Sequence, residues 1–175
     1  MDESPETERP RVGLYVDHDN LSISLAHQYG RAVRLDYSVL RRYVASRGRV
    51  VESVLFLSSP ADSLAPVPFA HRARSAGFTR VVIDRRRFVA PGRQKSASDV
   101  SLALCVGMAI GSAAIDRMVL VSGDGDFTPL VVAATAAGIE VEVIAPTDAA
   151  TSAQLELVAS RVVPAARFGG LVKAG

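Results

Sequence analysis

Short apolar runs alternate along the chain with longer segments in which apolar residues recur every three or four positions. The runs have the length and composition of buried strands, and they lie at residues 12–16, 50–57, 78–83, 117–121, 141–144 and 162–163. The periodic segments predict helices at about residues 21–30, 35–46, 69–76, 96–110, 127–137 and 151–159. Strands that alternate with helices are typical of an α/β protein with a parallel sheet.

The pattern predicts a single α/β domain over residues 11–166, in which helices cover both faces of a central parallel sheet. Residues 1–10 are acidic and poor in large apolar side chains, which predicts a disordered tail. Residues 167–175 contain three glycines, and we expect them to form a flexible C-terminal tail. The glutamate within residues 141–144 suggests an edge strand or a partly solvated face.

The composition is that of an ordinary globular domain, with 175 residues of which 49% are hydrophobic and 22% charged. No apolar run reaches the ~18 residues of a membrane span, and the N-terminus lacks the apolar region of a signal peptide. Cys105 is the only cysteine and cannot form an internal disulfide, so we expect a cytoplasmic location. The net charge of +2 is small, so the clustering of arginines says more about a nucleic-acid partner than their number.

Acidic residues stand at the ends of predicted strands that are far apart in the sequence. Asp17 follows the first strand, and Asp124 and Asp126 follow the fourth. Asp99 begins the helix that comes after the third strand. Because the carboxyl ends of parallel strands meet at one edge of the sheet, we expect these side chains to lie close together. Clustered carboxylates repel each other, and a hard divalent cation relieves that repulsion.

Simpler interpretations of the same acids stay open at this point. Turn chemistry alone accounts for Asp124 and Asp126. An acid in the first turn of a helix complements the helix dipole, which alone accounts for Asp99. Asp19 is interpreted as a helix cap or a solvent-facing residue, and Asn20 is a further candidate for the N-cap of the first helix.

Three motifs contain these acids: YVDHDNL at residues 15–21, KSASDVSLA at residues 95–103 and VLVSGDGDFTPL at residues 119–130. Together they resemble the motifs of the NYN domain, in its LabA-like or DUF88 group within the PIN-like nuclease superfamily. The resemblance extends over about residues 11–165. It implies a Rossmann-like, PIN-like three-layer fold and the activity of a metal-dependent endoribonuclease.

The resemblance also implies roles for particular residues. The site for Mg²⁺ or Mn²⁺ would be formed by Asp17, Asp99, Asp124 and Asp126. Asn20 and Ser122 would orient that site or the scissile phosphate, and a water molecule bound at the carboxylates would be the nucleophile. RNA is the implied partner, no membrane is expected, and a homodimer stays open.

Cys105 departs from the family pattern. Members of the family often carry a second aspartate at this position, in a pattern like DVxLAxD. A thiol is a poor ligand for Mg²⁺, and we interpret Cys105 as a small buried apolar residue. The departure keeps open a catalytically weakened module that binds RNA or protein.

A basic segment precedes Asp99. Its cations are expected to contact RNA phosphates, and they are Arg85, Arg86, Arg87, Arg93 and Lys95. Phe88, in the same segment, is expected to stack on an unpaired base. The alternative is a solvated loop whose arginines pair with the acidic cluster.

A phosphatase of the haloacid dehalogenase kind is the main enzymatic alternative. Asp17 and Asp19 resemble its first motif, in which Asp17 would be a covalent nucleophile. Residues 123–126 resemble its fourth motif. This interpretation leaves Asp99 without a role and ranks below the nuclease.

Overall fold

The computed structural model describes residues 9–60, 63, 66–90 and 93–173, with the backbone alone for residues 66, 88–90 and 93–95. In chain order its elements are β1 (Arg11–Asp17), α1 (His18–Tyr29), β2 (Arg34–Leu35), α2 (Tyr37–Arg47), β3 (Arg49–Ser59), α3 (Pro66–Ser75), β4 (Arg80–Arg85), β5 (Arg87–Ala90), β6 (Arg93–Lys95), α4 (Ser98–Gly111), β7 (Arg117–Val121), α5 (Thr128–Ala136), β8 (Glu140–Ala145), α6 (Ala153–Val158), β9 (Arg161–Pro164) and β10 (Val172–Lys173). Short 3₁₀ turns lie at Gly125–Phe127, Asp148–Ala150 and Ala165–Arg167.

A six-stranded parallel sheet lies at the centre, in the order β4-β3-β1-β7-β8-β9. The chain builds outward from β1 in one direction and then, from β7, in the other. The strand order therefore reverses between β1 and β7, and such a switch point is where open α/β sheets place their ligands. The predicted α/β class with a central parallel sheet is confirmed.

Helices cover both faces of the sheet because alternate strand residues point to opposite sides. On one face Leu14 and Val16 belong to a core that α1, α2 and α3 complete. On the other face Tyr15 and Leu120 belong to a second core, completed by α4, α5 and α6. Full burial of each such side chain contributes roughly 1.5–3 kcal/mol, so the two cores hold the strand ends in fixed register.

Strand β8 differs from the sequence-based expectation, because it is not an edge strand. It lies between β7 and β9. Glu142 on this strand is 1% exposed, accepts a hydrogen bond from the Tyr43 hydroxyl and lies 3.3 Å from the Arg47 guanidinium. A buried carboxylate with partners from α2 thus explains the polar residue that suggested a solvated face.

The C-terminal segment also differs from the expectation, because the part described is packed. Leu171 is 1% exposed, and Phe168 meets the Tyr43 ring edge-on at 4.8 Å. Strand β10 pairs antiparallel with β2. Residues 167–173 of the predicted flexible tail are thus packed against the domain, and residues 1–8 of the predicted acidic tail lie outside the described residues.

In the part of the chain that the structure describes, each helix is too short or too polar to cross a lipid bilayer.

Candidate active site

The site lies where β1 and β7 end side by side. Asp17, the last residue of β1, is 5% exposed. Its carboxylate accepts a hydrogen bond from the backbone N–H of Asn20 at 3.1 Å and another from the Ser122 hydroxyl at 3.2 Å. Asp17, and not Asn20, therefore caps α1. The cap fixes the Asp17 side chain at the sheet edge.

The turn after β7 is held against β1 by the two residues predicted to orient the site. The side-chain oxygen of Asn20 accepts a hydrogen bond from the Gly123 N–H at 2.9 Å. Ser122 Oγ accepts one from the Asp124 N–H at 3.2 Å, and the Asp124 carboxylate accepts one from the Asp126 N–H at 2.9 Å. Asn20 and Ser122 thus position the backbone that carries both acids.

Glycine is required at position 123 because the turn packs closely on the loop after β8. A Cβ at Gly123 would lie 1.8 Å from the carbonyl oxygen of Ala150. The Gly123 carbonyl also accepts a hydrogen bond from the Ser152 N–H at 3.0 Å. The spacing of the two acids in this turn therefore depends on a residue without a side chain.

The acidic side chains converge from three parts of the chain. Burial raises the pKa of Asp17 to about 6, and the negative charge of Asp99 adds to that rise. The pKa of Asp99 is raised first by partial burial of its carboxyl and then by the charges of Asp124 and Asp126. The structure thus brings Asp99 close enough to Asp17 and Asp124 for their charges to interact across the sheet edge.

Asp19 extends the cluster toward β3, a role that the sequence did not reveal. Its carboxylate accepts hydrogen bonds from the backbone N–H of Ser58, at 2.9 Å, and from the Ser58 hydroxyl. The Arg86 guanidinium donates to Ser58 Oγ at 2.8 Å and lies 4.0 Å from the Asp19 carboxylate. The DxD spacing at the end of β1 was the available signal, since it places one acid at the N-cap of α1 and the other in the first turn of that helix.

The basic segment forms a hairpin of β5 and β6, where the sequence suggested a loop. Arg85 donates to the backbone carbonyls of Pro60 and Ser63, at 3.1 Å and 2.7 Å. Arg87 is exposed on β5. The side chains of Phe88, Arg93 and Lys95 lie outside the described part of the structure. Of the expected RNA contacts, Arg86 is joined to the acidic cluster and Arg87 faces solvent.

Cys105 lies away from the acidic cluster. It is six residues beyond Asp99 on α4, about 9 Å along the helix axis. Its thiol accepts a hydrogen bond from the Arg80 guanidinium at 2.8 Å, and Arg80 also pairs with Glu52. Burial raises the pKa of the thiol. The Cys105 thiol therefore lies against Arg80 and not in the cluster around Asp99.

The oxygen donors at this edge fit a hard divalent cation that keeps several water molecules. Among the residues described, no three His, Cys, Asp or Glu side chains are placed as a ready-made cage for one ion. Mg²⁺ is commonly held by one or two carboxylates together with waters and phosphate oxygens, so a closed cage is not needed. Burial is the largest cause of the raised pKa values of Asp17 and Asp99, and repulsion between the carboxylates adds to it; binding such an ion would relieve the repulsion.

A three-layer α/β fold with carboxylates grouped at the switch point of its sheet is the arrangement of a PIN-like nuclease. A family model of the NYN domain matches residues 11–166, and the chain belongs to the NYN domain family, which is part of the PIN-like nuclease superfamily. Proteins of this superfamily act on nucleic acids and generally use divalent metal ions.

The fold is shared with a solved structure. It is the crystal structure of a protein of unknown function from Vibrio parahaemolyticus, with a TM-score of 0.81 and 22% sequence identity. The similarity covers 97% of this chain and 100% of the other. No curated protein matches the chain.

Proposed function

We propose that this protein is a metal-dependent ribonuclease that cleaves phosphodiester bonds in single-stranded or structured RNA. The observation that carries the proposal is the convergence of Asp17, Asp99 and Asp124 at the switch point of the sheet. There Ser122 Oγ donates a hydrogen bond to Asp17 and accepts one from the Asp124 N–H, and the charge of Asp99 acts on Asp17. Family membership supports the reaction class. The single cysteine supports a cytoplasmic location as part of the same proposal.

The cation would be held by the carboxylates of Asp17, Asp99, Asp124 and Asp126. When bound, Mg²⁺ or Mn²⁺ supplies charge stabilisation for the phosphodiester and lowers the pKa of a bound water. Asp17 is fixed by hydrogen bonds from the Asn20 N–H and the Ser122 hydroxyl, which reduces the reorganisation needed during reaction.

Asp99 would hold the cation from the start of α4. It is exposed there, where a substrate has access. Partial burial of its carboxyl raises its pKa in the absence of the cation, and a bound cation would favour the charged form. The nearby charges of Asp124 and Asp126 are a second cause of that rise, so the turn after β7 acts on Asp99 as well as on the cation.

The phosphatase alternative is less compatible with the position of Asp17. A covalent nucleophile needs an accessible oxygen with a clear line to phosphorus. Asp17 is 5% exposed, and both of its oxygens accept hydrogen bonds. The cleavage assay below distinguishes the nuclease from the alternative, a module that binds RNA or protein without turnover.

Replacing Asp124 by asparagine tests the proposed roles of the acids. The amide keeps the size of the side chain and an acceptor for the Asp126 N–H, but it removes the charge. Loss of several kcal/mol of charge stabilisation predicts a cleavage rate lower by ~10²-fold or more. The measurement is the initial rate of cleavage of a 5′-labelled RNA in Mn²⁺.

Asp148→Asn is the matched control, because Asp148 is an exposed acid in the turn after β8. This variant should cleave at the wild-type rate. Equal rates for Asp124→Asn and wild type would remove Asp124 from the site. RNA binding without any turnover by the wild type would favour the binding module.

Arg87→Ala is expected to weaken RNA binding and to lower the slope of log affinity against log salt by about one. Arg87 is exposed on the hairpin, whereas Arg85 also holds the carbonyls of Pro60 and Ser63 and is a less selective test. Filter binding or fluorescence anisotropy across a salt series measures the slope. Arg74→Ala, on the last turn of α3, is the control with an exposed arginine elsewhere. If Arg87→Ala had the same slope of log affinity against log salt as wild type, Arg87 would not contact an RNA phosphate.

A further inference from the structure

A second concave site lies beside the acidic cluster, between α1, α2 and α3. This lateral pocket has a volume of about 360 Å³. Its lining combines aromatic rings and cations, and the residues that define it are His18, Tyr37, Phe69, Arg34, Arg72 and Lys173. The proposed cleavage reaction uses none of these side chains.

The aromatic side of the lateral pocket is a fixed wall. The His18 and Phe69 rings lie 4.7 Å apart between centroids, and Tyr37 meets Phe69 edge-on at 6.2 Å. Nδ1 of His18 shares a hydrogen bond with the Tyr37 hydroxyl, and Tyr37 is only 5% exposed. Phe69 is half-buried, so part of its ring borders the open pocket. Such rings offer flat surfaces on which a nucleic-acid base can stack.

The cationic side of the lateral pocket comes from β2, α3 and β10. Asp36 also lines the pocket and pairs with Lys173 at 2.9 Å, so Arg34 and Arg72 leave the lining with a net positive charge. The Arg72 guanidinium lies 5.9 Å from the centroid of the Phe69 ring. A flat apolar surface and a cation at this spacing suit a ligand that joins an aromatic base to a phosphate.

The lateral pocket adjoins the acidic cluster through the chain itself. His18 is the residue after Asp17, at the same end of β1. Tyr37, on the pocket wall, lies within electrostatic reach of Asp17 and Asp19. An RNA strand whose phosphate lies at Asp17 therefore has the pocket within reach of an adjacent nucleotide.

We propose that the lateral pocket binds one unpaired nucleotide of the RNA substrate, with the base against Phe69 and the phosphate at Arg72 and Arg34. This inference rests on the proposed function and specifies its substrate as RNA with a single-stranded segment. A volume of about 360 Å³ is at the low end of ligand pockets, which suits one nucleotide and not a stack of several. Duplex RNA keeps its bases stacked and paired, so it cannot fill the pocket.

The test is binding of the full-length protein to a fluorescent single-stranded RNA and to a duplex of the same sequence, both in EDTA. Phe69→Leu removes the ring but keeps an apolar side chain, and it should weaken single-strand binding roughly 5- to 150-fold. Arg72→Gln should weaken it as well and lower its salt slope by about one. Duplex binding should stay within about twofold of wild type for both variants.

The matched controls retain the pocket. Tyr29→Leu removes an exposed aromatic ring from α1, and Arg74→Gln removes an exposed cation from α3. Both should bind single-stranded RNA as wild type does. If Phe69→Leu unfolds, Arg72→Gln decides the question, because Arg72 is exposed and its replacement leaves the core intact.

The proposal is overturned if single-strand binding is unchanged in Arg72→Gln and Phe69→Leu, if duplex binding falls equally, or if the wild type binds no RNA. Because binding is measured without turnover, the result is separable from cleavage. Binding that depends on Phe69 with no cleavage in Mn²⁺ supports the pocket and contradicts the nuclease. Cleavage in Mn²⁺ together with RNA binding that does not depend on Phe69 supports the nuclease and contradicts the pocket.

Discussion

In the absence of divalent cations at pH 7, the Asp17→Asn protein is expected to be more stable than the wild type by about 1–3 kcal/mol, and it should be inactive. Asp17 is 5% exposed, and burial raises its pKa to about 6. At pH 7 the folded protein therefore carries an unfavourable buried negative charge at this position. A shift of about two pKa units corresponds to roughly 3 kcal/mol between the protonation states. Asparagine removes that cost while its side-chain oxygen still accepts from the Asn20 N–H.

The sign of the pH dependence follows from the direction of the shift. Burial raises the pKa of Asp17 from 3.8 in the unfolded chain to about 6 in the folded protein. The folded state therefore binds more protons between these values, so the contribution of Asp17 to stability is greatest below pH 4. It is lost as the pH rises through about 6 and is constant above that. Asp17→Asn should remove this part of the pH dependence.

Urea unfolding in EDTA from pH 4 to pH 8 measures both effects. Asp116→Asn is the control of opposite sign, because Arg11 holds the pKa of Asp116 at about 2. Its contribution is present above the unfolded pKa and lost in acid, so Asp116→Asn should be less stable than wild type at pH 7. If the Asp17→Asn protein were less stable than wild type at pH 7, the buried charge of Asp17 would not destabilise the folded protein as we expect.

The same variant should lose RNA cleavage by ~10²-fold or more, because it removes one charged ligand from the proposed cation site. A gain in stability together with a loss of activity is the expected behaviour of a residue retained for function. Mn²⁺ should raise the unfolding temperature of the wild type, since a ligand of the folded state stabilises it. It should raise that of Asp17→Asn less.

Gly123→Ala is expected to destabilise the protein by ~3 kcal/mol or more and to abolish cleavage. The added Cβ would lie 1.8 Å from the Ala150 carbonyl oxygen and 3.2 Å from the Pro146 ring. Backbone cannot rotate away as a side chain can, so the turn or the loop after β8 must move. That movement would break the Asn20 hydrogen bond to the Gly123 N–H and displace Asp124.

Chemical unfolding and the cleavage assay check this expectation, with Gly107→Ala as the control. A Cβ at Gly107 meets open space within α4. Alanine there should raise stability by roughly 0.5–1 kcal/mol, because glycine is unfavourable within a helix. Wild-type stability for Gly123→Ala would show that the turn tolerates a side chain and is not fixed by the neighbouring loop.

The sequence predicted the α/β fold well because each strand and helix carries its own apolar period. Residues 12–16 lie within β1 and residues 117–121 form β7, and the position of these strands beside each other follows from the rules of parallel sheets. The fold and the family are confirmed. The roles of individual acids stay predictions, since they depend on chemistry that the fold alone does not determine.

Other features could not be predicted from local sequence patterns because they depend on partners that are distant in the sequence. Glu142 resembles a solvated residue in sequence, but inside the fold it accepts a hydrogen bond from Tyr43 and pairs with Arg47, both from α2. Leu171 is buried by elements that precede it by more than a hundred residues, including Tyr37 and Leu40 of its core. Burial by residues that are distant in the sequence cannot be predicted from local composition.

The candidate site also has some features that could be predicted from the sequence and others that could not. The convergence of Asp17, Asp99 and Asp124 was predictable from strand ends. The pKa of Asp17 was not, because it depends on how completely the edge is covered. Asp19 was interpreted as a cap or a solvent-facing residue, whereas Ser58 from β3 binds it, a pairing set by sheet order.

The most direct test of the central claim is the initial rate at which the wild-type protein cleaves a 5′-labelled single-stranded RNA, measured in EDTA and then with increasing Mn²⁺. We expect no cleavage in EDTA and a rate that rises with Mn²⁺ to saturation, because the proposed site binds the cation at the carboxylates of Asp17, Asp99 and Asp124. Equal cleavage in EDTA and in Mn²⁺, or no cleavage in either, would contradict the proposed function.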